Sequence, residues 1–150
     1  MAIKVGGTTV IDDSRNLTLT GNINLTQAFF ETANVTASAV TANVTLVAKD
    51  SGICYFTSNA TANATVNLTG LTELATGGAA TITLLMTNGA TAYKVNTIQV
   101  NGAAANVVKW SGGTAPTSGN AANVDIYSFT VIKTANSTHS VFASQSQFGG

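Results

Sequence analysis

The sequence predicts an all-β fold: a β-sandwich or jelly-roll-like domain with an extended N-terminal arm or small hairpin region. Three observations predict it. Many stretches alternate apolar and polar residues with period two. Thr, Val and Asn are plentiful, while Leu, Glu, Lys and Arg, the better helix formers after Ala, are sparse. Turn signals recur between the alternating stretches, at Asp50-Ser51-Gly52, Asn88-Gly89, Asn101-Gly102 and Ser111-Gly112-Gly113 ahead of Pro116. Short strands at this spacing fit a sandwich or jelly roll.

In chain order the alternation predicts strands at Asn16–Thr20, Asn43–Val47, Ile53–Thr57, Ala64–Leu68, Thr81–Thr87, Tyr93–Val100, Val107–Trp110, Asp125–Lys133 and Ser140–Ala143. Residues 1–45 are weakly apolar and rich in small side chains, so they are assigned to the arm and small β region. Residues 46–150 hold most of the aromatics and are assigned to the sandwich. Tyr127, Phe129, Val131 and Phe142 are expected to line one core from alternate strand positions. Trp110 either covers one end of that core or faces into it, with Gly112 and Gly113 free to take positive φ and Pro116 fixing the loop. Thr32-Ala33-Asn34-Val35-Thr36 echoes Thr41-Ala42-Asn43-Val44-Thr45, too short a repeat to establish a solenoid.

A chain of 150 residues can bury a core without disulfides or metals. Charged residues make up 8% of it, against roughly a quarter in an ordinary soluble domain. Thr, Asn, Ser and Gln must therefore wet the surface, and such a surface packs against neighbours without desolvating charge. The formal net charge is zero, so no basic field draws a phosphate backbone and no nucleic-acid partner is expected. No apolar run is long enough to span a bilayer, so no membrane partner is expected. Met1-Ala2-Ile3-Lys4-Val5-Gly6-Gly7 does not read as a secretory signal, and Cys54 is single; both fit synthesis in a reducing cytoplasm. Cys54 sits among Ile53, Tyr55 and Phe56 and reads as a small buried apolar side chain.

Residues with catalytic chemistry are few. His139 is the single histidine, expected at the surface or in a turn, with no carboxylate or nucleophile marked as its partner. One His and one Cys give no zinc spacing, and no metal or cofactor is expected. Asp12-Asp13 lacks the calcium-loop pattern and reads as a turn with Arg15. Thr76-Gly77-Gly78 lacks the Lys and Thr of a phosphate loop. The Asn-x-Ser/Thr triplets, headed by Asn16, Asn24, Asn34, Asn43, Asn59, Asn63, Asn67 and Asn136, follow from an Asn- and Thr-rich composition. Thr-x-Thr at Thr18–Thr20 and Thr81–Thr83 falls short of the aligned array an ice-binding face needs. An enzyme is not expected.

Two segments carry a resemblance. Ile3-Lys4-Val5-Gly6-Gly7-Thr8-Thr9-Val10-Ile11-Asp12-Asp13-Ser14-Arg15-Asn16-Leu17 resembles short modules of tail-fibre and other virion proteins of marine tailed phages. Ile82–Met86, then Val107-Val108-Lys109-Trp110-Ser111-Gly112-Gly113-Thr114-Ala115-Pro116-Thr117, Val124–Phe129 and Val141–Ala143, is similar to the C-terminal β-domain of many such fibres and small surface proteins. The resemblance implies a bacteriophage virion structural protein, made in the bacterial cytoplasm and assembled as a homotrimer. Fibres of this kind are usually longer, with a shaft between the two segments. A chain with almost no shaft suits a capsid decoration (cement or knob) protein, whose partners are copies of itself and the major capsid or tail proteins. The alternative is a short tail fibre or fibre tip binding a host-surface receptor or glycan, with Trp110 and Tyr93 as contact residues if exposed. Ile3, Val5, Val10, Ile11, Leu17 and Leu19 are the expected subunit or capsid contacts, since an arm without its own core finds apolar partners in another subunit.

Overall fold

The structure is a computed structural model that describes residues 3–5, 8–11 and 26–149. It divides into two units, Met1–Phe30 and Glu31–Gly150. In the first, β1 (Ile3–Val5) and β2 (Thr8–Ile11) pair antiparallel, with Ile3 opposite Ile11 and Val5 opposite Thr8. The strand expected at Asn16–Thr20 lies outside the described residues.

The second unit holds β3 (Asn34–Ala39), β4 (Asn43–Val47), β5 (Ile53–Ser58), β6 (Ala64–Thr69), β7 (Ala79–Thr87), β8 (Val95–Val100), β9 (Ala103–Ala104), β10 (Val107–Trp110), β11 (Val124–Ala135) and β12 (Thr138–Phe148). They form a six-stranded sheet, ordered β10-β12-β11-β7-β5-β3, and a four-stranded sheet, ordered β4-β6-β8-β9. Inward residues of both sheets join one apolar core, so the unit is all-β and sandwich-like, as expected.

The connectivity gives the core its order. From β3 to β8 the chain alternates between sheets, so β3, β5 and β7 stack parallel in one and β4, β6 and β8 stack parallel in the other. Parallel neighbours normally need a crossover helix; here the strand of the opposite sheet is the crossover. The result is three solenoid-like coils. Val44, Val66 and Ile98 stack through successive coils, as do Leu46, Leu68 and Val100, all buried. On the outer face of the same strands Thr45, Asn67 and Gln99 stack in turn. This is the period-two pattern extended in a second direction. The coils differ in length, so no fixed sequence period shows.

Beyond the third coil the six-stranded sheet continues antiparallel. β11 pairs with β7 along its length, placing Phe129 against Ile82 and Tyr127 against Leu84. β12 folds back on β11, and β10 lies parallel to β12 at the edge. Tyr127 and Phe129 run stacked, ring centroids 6.3 Å apart.

Three expectations need correction. The boundary between the units falls at residue 30, not 45: β3 and β4 belong to the sandwich, and Val40 and Val44 are core residues. Residues 31–45 looked coreless because their apolar side chains complete a core built by later coils. The last strand reaches Phe148, well past Ala143, because Ser144, Gln145 and Ser146 pair with β11 despite their polarity. Phe142 is 48% exposed, while Val141 and Ala143 on either side are buried; alternation in β12 places it on the outer face, beside Thr130.

Candidate functional site

Polar chemistry gathers in a buried cluster at the start of β11. Asp125 occupies an inward position, in phase with Tyr127, Phe129 and Val131, and is fully buried. Its Oδ2 accepts hydrogen bonds from Asn88 Nδ2 at 2.9 Å and from the Asn120 backbone N–H at 3.0 Å. Asn88 also donates to the Tyr93 carbonyl and accepts from the Tyr93 N–H, both at 3.0 Å, closing the turn after β7. One carboxylate therefore ties the 88–94 turn to the long 111–123 loop. Lys94 Nζ adds a bond to the Pro116 carbonyl at 2.6 Å, and the Ala122 N–H donates to the Gly89 carbonyl at 2.7 Å.

Tyr127 extends the cluster across the core. Its Oη accepts from the Val95 N–H of the opposite sheet at 3.3 Å and from Gln145 Nε2 at 3.0 Å. Gln145 Nε2 also donates to the Ser118 carbonyl at 3.1 Å. Burial pushes the Tyr127 phenol well above its ordinary range, more than the Val95 bond draws it back. Burial likewise raises the Asp125 carboxyl, against the hydrogen bonds from Asn120 and Asn88 that favour its ionised form. Asp125 Oδ1 is buried with no hydrogen-bond partner. What this arrangement does is hold two loops in place. Sequence reading placed Asp125 only as the first residue of a strand. The available signal was a carboxylate in the inward phase of an otherwise apolar strand, which requires buried donors.

The resembling 107–117 segment serves the same end. β10 leads into a single 3₁₀ turn, Ser111–Gly113, where Gly112 and Gly113 take φ of 74° and 80°, the left-handed region glycine favours. Trp110 is half-buried against the core from the edge strand, and Tyr93 is also half-buried against it. Trp110 ends the edge strand β10, and Tyr93 lies in the turn that leads into β8. Cys54 is buried, and burial raises its thiol.

His139 departs from expectation. It lies in β12 on the inward side, 7% exposed, and its backbone N–H donates to Asn106 Oδ1 at 3.1 Å. Its Nε2 is buried without a partner. Burial lowers its pKa, and Lys133, opposite it on β11, adds to the shift. A histidine held neutral contributes stability that is complete above its unfolded pKa of about 6.5 and is lost as pH falls through the lower folded value. We therefore expect His139→Leu to lose less thermal stability than the parent between pH 7 and pH 5. Equal losses in thermal melts at the two pH values would show that His139 does not carry this dependence.

Among the described residues, no three His, Cys, Asp or Glu side chains are grouped to hold a metal ion, and no helix is long and apolar enough to cross a membrane. Ile3 and Val5 lie in β1, and Val10 and Ile11 in β2; the strand pairing brings Ile3 opposite Ile11. Leu17 and Leu19 lie outside the described residues, as do Asp12, Asp13 and the Thr18–Thr20 pair. Thr81 and Thr83 point outward from β7, with Thr81 Oγ1 3.3 Å from Thr130 Oγ1.

The outer face of the six-stranded sheet is the other feature sequence reading missed. Val35, Tyr55, Leu85 and Ile126 are lateral neighbours across β3, β5, β7 and β11. They form one apolar row, bordered on one side by Ile53, Thr83 and Ser128. The next row holds Thr87, Val124 and Phe148, the last 54% exposed. Finding this row requires the parallel register, which no single stretch of sequence displays. Comparison with protein-family models, with curated proteins and with solved structures yields no match.

Proposed function

We propose that this chain is a structural subunit that assembles with copies of itself on a bacteriophage particle, as a trimeric capsid decoration protein. The observation that carries the reading is the neutrality of the folded surface. Thr45, Asn67 and Gln99 run along the outside of one sheet, and on the other the outward Thr83, Ser128, Thr130 and Ser144 alternate with uncharged apolar side chains. The 8% of charged residues leaves few to keep copies apart, and such a surface meets a neighbour without stranding buried charge. The buried cluster supports the same reading. Asp125 and Tyr127, in one of the segments that resembles phage surface domains, hold loops in place, as a rigid particle component needs. Many subunits attached at once multiply weak contacts.

The test is the native mass of the full chain, followed by its copy number on purified particles. A trimer present in hundreds of copies supports decoration of the capsid; a handful of copies moves it to the tail, as a short fibre. A chain that stays monomeric at every concentration overturns the assembly reading.

A further inference from the structure

We infer that the outer face of the six-stranded sheet is the surface through which a second copy of this chain docks. This rests on the assembly reading above and assigns its interface to residues of the 31–149 unit, whereas the sequence suggested residues of the 1–30 segment. The unit 31–149 has two sheets, which cover each other on one side only, and it contributes no α-helix to lie over either outer face. The outer face of the four-stranded sheet is polar, with Thr45, Asn67 and Gln99 along its centre. The outer face of the six-stranded sheet carries the Val35–Tyr55–Leu85–Ile126 row, flanked by Val124 and Phe148. Val35 is 61% exposed, Phe142 48% and Phe148 54%. Apolar residues aligned over four neighbouring strands make a continuous patch rather than scattered exposures.

The chemistry selects another copy of the same chain. Among the described residues, Lys109 is the one charged residue that strand alternation places on this face, at its edge opposite Phe142. A charged partner would find nothing complementary there, whereas two such faces bury neutral against neutral. A zero net charge leaves no long-range repulsion between copies. The size is also right. The four central strands, β5, β7, β11 and β12, have 6, 9, 12 and 11 residues; at ~3.3 Å per residue and ~4.8 Å spacing they offer on the order of 600 Å², within the range of specific interfaces that centre on ~800 Å² per partner.

The experiment compares full-length parent, Leu85→Lys, Ile126→Lys and a control, Thr45→Lys on the other sheet, by light scattering across a concentration series. Circular dichroism checks that each is folded. The expected result is an oligomeric parent and control, with either face substitution weakening association roughly 100-fold or more. If the parent assembles and both folded face variants assemble equally well, this face is not the interface, though the assembly reading stands. If the parent is a monomer throughout, both fall. Should the central substitutions unfold the chain, Val35→Lys reads the same face from the exposed edge strand. Parent-like association of Val35→Lys would overturn the inference.

Discussion

Gly119→Ala is expected to cost ~3 kcal/mol or more, a large share of the roughly 5–15 kcal/mol by which a domain is stable. Gly119 is buried, and a methyl group there would overlap the Tyr93 carbonyl oxygen. It would also stand 2.7 Å from Asp125 Oδ2 and 2.8 Å from Asn88 Nδ2. None of these atoms can yield alone. Asn88 Nδ2 bonds both the Tyr93 carbonyl and Asp125, and Asp125 in turn holds the Asn120 N–H. Displacing one leaves buried donors unpaired, at ~1–3 kcal/mol each. Gly112→Ala is the contrast: its φ of 74° strains a side chain, but no atom lies within 4 Å of the added carbon. That strain costs ~1–2 kcal/mol. Urea unfolding of the two variants measures the difference. A Gly119→Ala variant as stable as Gly112→Ala would mean that the 111–123 loop is not held against the Asp125 cluster.

Sequence supplied the all-β class and most of the strands because period-two alternation is local: Ala64–Leu68 shows its buried and outward faces within five residues. It did not show which strands are neighbours. Val44, Val66 and Ile98 touch across coils of unequal length, so their stacking leaves no repeat to detect. The same gap hid the Tyr55–Leu85–Ile126 row, since each member is one ordinary outward residue in its own strand. It also misplaced residues 31–45, whose Val40 and Val44 have partners only in later coils. Polar residues misled in a different way. His139 reads as a surface or turn residue by its type, and Asp125 as a strand end, yet the strand phase of both points inward. For Asp125 the donors come from turns at 88 and 120, far apart in the chain. For His139 the inward phase is set by Val141 and Ala143.

Phe129→Ala and Phe142→Ala together test the face assignment of the β11–β12 hairpin. Phe129 is fully buried, between Ile82 on β7 and Ala143 on β12. Its truncation is expected to cost ~3–5 kcal/mol through lost burial and the cavity left behind. Phe142 is 48% exposed on the opposite face, so in the isolated subunit the same change should cost under ~1 kcal/mol. A one-residue slip of β12 would exchange faces for every side chain in the strand. Comparable losses for the two variants in dilute thermal melts would therefore indicate a slipped register. Concentration adds a second axis. Where copies dock on the outer face, Phe142 becomes partly covered, and apparent stability rises with protein concentration by mass action. Phe142→Ala should then lose part of that concentration-dependent gain, while Phe129→Ala should keep the gain at its lower stability. The core term and the assembly term are thereby read from two residues of the same type on opposite faces of one hairpin.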